Sequence, residues 1–172
     1  KIMALVLALV MVMGLAVTAS AAKIEIVTSD SGASVEGHTY EVYQIFKGVA
    51  AELDGEMVLT DVAFGANYKL EDTDVEEAMA EIQAMTGLEA AAFLKEKISG
   101  QAIVTLSDAN NWKAELDDGY YLILDVSEDL PDTEEASAYI LKVVGDVEIK
   151  SKHDATPVTY KKVDDVNDST TE

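Results

Sequence analysis

The chain has 172 residues, of which 33 are acidic and 12 are basic, and its formal net charge at pH 7 is −21. So acidic a surface repels nucleic acid and anionic lipid, both of which bind through clustered lysine and arginine. We therefore expect no nucleic-acid partner. The chain has no cysteine, so no disulfide can stabilise it, and its length suits one ordinary domain with a short extension.

Residues 1–22 have the pattern of a partial secretory signal peptide. Lys1 precedes an apolar run from Ile2 to Val17, and small residues follow that run. Cleavage is expected after Ala21 or Ala22. A transmembrane helix is the alternative, but the run is short for a span and no basic stop-transfer cluster follows it. The sequence therefore predicts an exported, extracellular protein.

Two strands are predicted at the start of the mature chain. Lys23–Thr28 alternates, with its two isoleucines on one face. Thr39–Phe46 is apolar on both faces, which is typical of a central strand. One predicted face of this strand carries Tyr40, Val42, Gln44 and Phe46, and the other carries Tyr43 and Ile45. A short third strand is considered at Met57–Val62.

The hydrophobic period becomes helical between residues 73 and 98. Thr73 and Glu76 have the spacing of a capping box, and Gly87 is predicted to end the first helix. A second helix is predicted at Leu88–Ile98, ended by Gly100. The first helix places Val75, Met79, Ile82 and Met85 on one stripe, and the second places Leu88, Ala91, Ala92, Leu94, Lys95 and Ile98 on another. The methionines are interpreted as core residues rather than ligands.

Strand patterns return after Gly100. The predicted strands are Ala102–Leu106, Trp112–Leu116, Tyr120–Val126, Ala138–Val144 and Val147–Lys150. The last two are predicted to form a hairpin through Gly145 and Asp146. Strands interrupted by two helices indicate a mainly β protein, an Ig-like β-sandwich with a two-helix insertion at about residues 73–98.

The domain organisation is predicted from the C-terminal part of the chain. The first domain spans residues 23–150, residues 151–157 form an exposed linker, and residues 158–172 form the first strand of a truncated second domain. Pro157 suits a linker because proline cannot donate to a strand ladder. A strand without its sheet is not stable alone, so residues 158–172 are expected to be poorly ordered.

Residues suited to enzymatic chemistry are few. The two histidines, His38 and His153, have no metal-type spacing, and there is no cysteine ligand or glycine-rich phosphate loop. No metal, cofactor or enzymatic activity is expected. The alternative is a secreted hydrolase that uses acidic residues such as Glu41 and Asp125. Asp164–Asp168 lacks the glycine and distal glutamate of a calcium loop and is interpreted as a solvated acidic turn.

Three segments, in order along the mature chain, resemble the N-terminal domain of Gram-positive fimbrial subunits, the sortase-assembled, isopeptide-forming pilins, and related surface proteins. They are Gly37–Gly48 (GHTYEVYQIFKG), Asp118–Leu122 (DGYYL) and Ser137–Leu141 (SAYIL). The resemblance implies a structural subunit of a cell-wall-attached fimbria or surface stalk. Its implied partners are a sortase, other pilin subunits and, through a C-terminal signal, peptidoglycan. The alternative is an unpolymerised wall-anchored adhesin that binds a host glycoprotein or glycan.

The resemblance also implies an acceptor lysine for sortase at the end of the first domain, in a Tyr-Pro-Lys-like motif. Lys152 stands at that place, with Lys150 and Ser151 where the family has tyrosine and proline. A sortase would join this lysine to the sorting signal of the next subunit. The alternative is an ordinary solvated linker lysine.

A further trait implied by the resemblance is an intramolecular amide between a lysine and an asparagine or aspartate. Burial favours it, because burial lowers a lysine's pKa and raises that of a carboxyl group. Lys161, with Lys162 as the fallback, is the candidate for the second domain. Lys23 with Asp146 is the weaker candidate in the first domain. Since the closing strands lack asparagine, no internal amide is expected in this chain.

Overall fold

Two β-sheets face each other, and two helices cover the outer face of the larger sheet. The computed structural model describes residues 21–30, 32–53, 55–128, 138–151 and 160–163. The strands in this part of the chain are β1 Ala22–Val27, β2 Tyr40–Leu53, β3 Glu56–Phe64, β4 Val104–Leu106, β5 Lys113–Leu116, β6 Gly119–Asp125, β7 Ala138–Val143, β8 Val147–Lys150 and β9 Tyr160–Val163. The helices are α1 Val75–Ala84 and α2 Gly87–Lys97.

The small sheet has the strand order β5-β1-β8, and the large sheet has the order β3-β2-β6-β7-β9, with β4 also paired to β2. The pairs β1–β8 and β7–β9 are parallel, and the other pairs are antiparallel. The protein is therefore a mainly β sandwich with a two-helix insertion, as the sequence predicts.

The first hydrophobic core lies between the two sheets. The small sheet contributes every second residue of β1 and β8, which leaves their other faces to solvent. The buried members of this core are Ala22, Ile24, Ile26, Val35, Tyr40, Val42, Leu106, Trp112, Leu116, Tyr121, Ile123, Tyr139, Leu141, Val143, Val147 and Ile149. The one-sided pattern of β1 follows from this packing.

The second core lies between the large sheet and the helices. Its buried members are Ile45, Phe46, Tyr68, Ala78, Ile82, Ala90, Ala91, Leu94, Leu122, Leu124, Ala138 and Ile140. In β6, Tyr121 and Ile123 enter the first core, and Leu122 and Leu124 enter the second. Strands buried on both faces are therefore apolar at nearly every position, as predicted for β2 and β6. Met79 and Met85 pack against this core, in agreement with their interpretation as core residues.

The predicted face of Phe46 is wrong. The register of β2 against β6 shifts between Gln44 and Phe46, which pair with the consecutive residues Tyr121 and Tyr120. One extra residue in β2 forms a bulge, and a bulge re-aims the side chains that follow it. Ile45 and Phe46 consequently both enter the second core.

The helices begin at caps that the sequence analysis placed wrongly. Asp74 is the N-cap of α1 and accepts a hydrogen bond from the amide of Glu77, so Thr73 is not the cap. Thr86 caps α2 and forms a capping box with Glu89. Gly87 is thus the first residue of α2, not the stop of α1. The predicted apolar stripe of α2 is partly wrong, since the residues that it buries are Ala90, Ala91 and Leu94, and Leu88 is 52% exposed.

The predicted hairpin between β7 and β8 is also wrong. β7 continues the large sheet, whereas β8 pairs with β1 in the small sheet. The chain crosses between the sheets at Gly145, whose φ of +121° is accessible to glycine and strained for other residues. Val143 and Val147 then approach the first core from opposite sheets.

The C-terminal strand differs from its prediction as well. β9 pairs with β7 and extends the large sheet of the first domain, so Tyr160–Val163 does not stand apart from that domain. A second domain stays a prediction. Ser151, predicted as exposed linker, is fully buried, and residues 152–157 lie outside the described residues.

Candidate functional site

The C-terminal end of β8 leads directly to Lys152, the predicted sortase acceptor. Because β8 runs parallel to β1, Val147 lies beside Ile24 and Lys150 lies beside Val27. The end of β8 is therefore next to the end of β1. Lys152 and His153 themselves lie outside the described residues.

Ser151 fixes the chain at this point. Its amide donates a 2.8 Å hydrogen bond to the carbonyl of Val27, and its hydroxyl donates to the carbonyl of Ala33. A proline, which the resemblance would place here, could donate neither bond. Ser151 is therefore held by two hydrogen bonds that a proline at this position could not make.

Lys150 adds an exposed ion pair beside this anchor. Its ammonium lies 2.5 Å from the Asp30 carboxylate, and the hydrogen bond and charge of Asp30 raise the pKa of Lys150. An exposed pair of this kind adds little stability. The hydrogen bonds of Ser151 therefore contribute more than this ion pair to holding the end of β8 in place.

The structure brings Lys23 and Asp146 together, but through the backbone. The amide of Lys23 donates a 2.8 Å hydrogen bond to Oδ1 of Asp146. Both residues are exposed. The apolar surroundings that would favour amide formation are therefore lacking around this pair.

Lys161 and Lys162 lie in β9, in register with Tyr139 and Ile140 of β7. Both of these β7 residues are buried, Tyr139 in the first core and Ile140 in the second. The two lysines thus lie beside the buried part of the large sheet.

The two predicted cleavage positions differ in their relation to β1. Ala22 is the first residue of β1, pairs with Leu116 and is 2% exposed, whereas Ala21 precedes the strand and is exposed. Cleavage after Ala21 leaves β1 whole, and cleavage after Ala22 removes its first residue. No helix in the described part of the chain, which starts at residue 21, is long and apolar enough to cross a membrane.

A buried polar cluster at the start of β2 was missed by the sequence analysis. His38 Nδ1 lies 2.8 Å from Asp125 Oδ2, and neither side chain is exposed. Ser127 donates hydrogen bonds to the other carboxylate oxygen of Asp125 from its hydroxyl, at 2.5 Å, and from its amide, at 3.1 Å. The Trp112 indole donates to the carbonyl of His38 at 2.9 Å. The cluster ties the ends of β2, β5 and β6 together.

The two residues considered for a hydrolase have separate hydrogen-bond partners. Asp125 is held by His38 and Ser127, whereas Glu41 accepts a 2.5 Å hydrogen bond from the hydroxyl of Tyr43. Burial and this hydrogen bond raise the pKa of Tyr43 to about 12. Full burial of Asp125 also closes it to a substrate. One feature of the sequence could have indicated this cluster. Asp125 ends an apolar strand, and a carboxylate buried at such a position requires a polar partner.

A cleft of about 380 Å³ opens where β2 passes the turn between β5 and β6. Its lining residues are Gln44, Lys47, Gly48, Val49, Asp61, Asp117 and Asp118. Asp118 is 7% exposed and accepts a 3.0 Å hydrogen bond from the amide of Ala50. No three metal-ligating side chains converge here or elsewhere in the described residues.

No family model matches the chain, and no curated protein matches it significantly. Support for a function therefore comes from the resemblance of the three segments and from the geometry at the end of β8.

Proposed function

We propose that the chain is the N-terminal domain of an exported, cell-wall-attached structural subunit of a fimbria or surface stalk. The observation that carries this proposal is the anchor at the end of β8. Ser151 is buried and hydrogen-bonded to Val27 and Ala33, and the candidate acceptor Lys152 is the next residue.

The anchor suits an acceptor lysine for a mechanical reason. A sortase supplies an activated acyl group, so the lysine needs only a reachable position and a firm attachment to its domain. Ser151, the residue before Lys152, is attached by two hydrogen bonds to the end of β1 and the loop that follows it. A load on a Lys152 cross-link would therefore pass directly into the small sheet.

The alternative is an unpolymerised wall-anchored adhesin that binds a host glycoprotein or glycan. The β2–β3 hairpin favours it, because Leu53 and Met57 near the hairpin tip are 58% and 44% exposed. A binding protein needs such a surface outside its cores.

The test is polymer formation by the full-length protein with its sortase. Lys152→Ala should abolish the ladder of covalent polymers and leave thermal stability unchanged. Lys150→Ala is the matched control, since it removes a neighbouring exposed lysine, and polymers should persist. Lys161→Ala should leave polymer formation intact, and loss of the amide predicted for Lys161 should lower thermal stability. Polymers that persist without Lys152 would overturn the fimbrial proposal, and host-ligand binding without polymers would support the adhesin.

A further inference from the structure

The outer part of the β2–β3 hairpin extends beyond the rest of the large sheet. β6 pairs with β2 only as far as Lys47, and β4 only as far as Val42. From Val49 onward, among the described strands, only β3 pairs with β2. We refer to Val49–Leu53 and Glu56–Thr60 as the distal ribbon.

The distal ribbon is apolar on both faces. Its apolar residues are Val49, Ala50, Ala51, Leu53, Met57, Val58 and Leu59, and none of them belongs to either hydrophobic core. A two-stranded hairpin is at best marginally stable in water without a further layer or strand. Of these residues, Leu53 and Met57 are 58% and 44% exposed, so their side chains are available to a partner.

The outer edge of β3 is open to a further strand. β3 is the terminal strand of its sheet among the described residues. The amide of Ala50 points away from β3, because it donates to Asp118. In an antiparallel pair, residues directly opposite each other both point inward or both point outward. Leu59 is opposite Ala50, so its backbone N–H and C=O face outward, and those of Met57 do the same.

The charge along the ribbon is negative. Residues 48–61 contain four acidic residues, Glu52, Asp54, Glu56 and Asp61, and no basic residue. The adjacent cleft is lined by three aspartates, Asp61, Asp117 and Asp118, and by one lysine, Lys47, so its net charge is also negative. A second copy of this chain, with a net charge of −21, would bring like charges together here.

We infer that the distal ribbon docks an extended segment of another protein that is apolar and carries basic side chains. The segment adds as a strand along β3, and the outward N–H and C=O groups of Met57 and Leu59 bind its backbone. Its apolar side chains pack beside Met57 and Leu59 of β3, and its basic side chains meet the carboxylates of Glu52 and Asp61. This inference does not depend on polymerisation through Lys152.

The experiment uses the intact mature chain and two synthetic peptides. Both peptides alternate valine and threonine over six residues, and one carries two lysines at each end where the other carries two glutamates. We expect the lysine peptide to bind at least about tenfold more tightly and to weaken with salt. Its addition should slow hydrogen exchange at the amides of Met57 and Leu59. No binding, or equal binding of both peptides, would overturn the inference.

Two matched variants locate the site. Met57→Ser should weaken binding of the lysine peptide about tenfold. Leu88→Ser makes a comparable change at an exposed apolar residue of α2 and should leave binding unchanged. Unchanged thermal unfolding of both variants verifies folding. Equal effects of the two substitutions would overturn the site, and self-association abolished by Met57→Ser would identify a second copy as the occupant instead.

Discussion

His38 and Asp125 lie 87 positions apart in the sequence, and their side chains meet at 2.8 Å with no exposed surface. Removing one partner of such a buried pair leaves the other without its hydrogen bond in an apolar environment. We expect Asp125→Ala to lower the free energy of unfolding by about 3 kcal/mol. Asp30→Ala removes an exposed ion pair and should cost less than about 1 kcal/mol. Urea unfolding measures both, and similar losses would contradict the importance of the buried pair.

Tyr68 and Tyr121 are equally buried but differ in their hydroxyl contacts. The Tyr68 hydroxyl has no hydrogen-bond partner among the described residues, whereas that of Tyr121 donates to Asp117 and accepts from Gln44. Tyr68→Phe should therefore leave the free energy of unfolding unchanged or raise it by up to about 1 kcal/mol. Tyr121→Phe should lower it by about 1 kcal/mol. A decrease in the free energy of unfolding from Tyr68→Phe as large as that from Tyr121→Phe would show that the Tyr68 hydroxyl has a hydrogen-bond partner.

Stability should fall at alkaline pH because of Tyr121. Burial raises its pKa from 10.0 to about 12. Between these values the unfolded chain releases the phenol proton and the folded protein keeps it, so the free energy of unfolding decreases as the pH rises. Tyr121→Phe should make this decrease shallower in unfolding curves recorded from pH 9 to 12. An unchanged slope would contradict the raised pKa.

The two candidate caps can be separated by substitution. Thr86 accepts a hydrogen bond from the amide of Glu89, whose carboxylate accepts one from the amide of Thr86. Thr86→Ala should lower the free energy of unfolding by about 1 kcal/mol. Thr73→Ala should change it by less than about 0.5 kcal/mol, because Asp74 caps α1. Thermal unfolding of both variants measures the two losses of stability. A larger loss from Thr73→Ala than from Thr86→Ala would support the predicted capping box of Thr73 and Glu76 instead.

The mature chain should contain no internal amide bond. Lys23 meets Asp146 through its backbone, and both residues are exposed. The intact mass of the purified protein should therefore match that of its sequence. A mass lower by one water, absent from Lys23→Ala, would instead demonstrate an amide between these residues.

The architecture could be predicted for elements whose hydrophobic pattern shows whether one face or both faces are buried. Strands such as β6 are apolar on both faces because they lie between two cores, and the helical period of residues 73–98 marks the covering layer. The pairing of β8 was not predictable in the same way. Gly145 and Asp146 have the composition of a hairpin turn, which favours pairing of β8 with β7. β8 is buried on one face only and pairs instead with β1 in the small sheet, and this choice depends on the tertiary arrangement of the two sheets.

The contacts missed at the candidate sites depend on residues distant in sequence. The bulge that re-aims Phe46 is set by its register with Tyr120 and Tyr121. The partner of Asp125 could not be chosen from the chain alone, because no periodic pattern links it to His38. Lys152 was predicted as an acceptor from its position within the resemblance, whereas the hydrogen bonds of Ser151 could be found only from the position of Val27.

The parallel pairing of β1 and β8 also determines how the sandwich responds to tension. β1 starts at the end of the pair opposite to the one where β8 ends. Pulling on Ala22 and Ser151 therefore drives the two strands past each other, and the hydrogen bonds between them bear the force together. An antiparallel pair pulled at its open end would instead unzip one bond at a time. Forced unfolding is governed by the unfolding rate. Because β8, a strand of 4 residues, is parallel to β1, we expect the pair to be loaded in shear and to unfold slowly under tension.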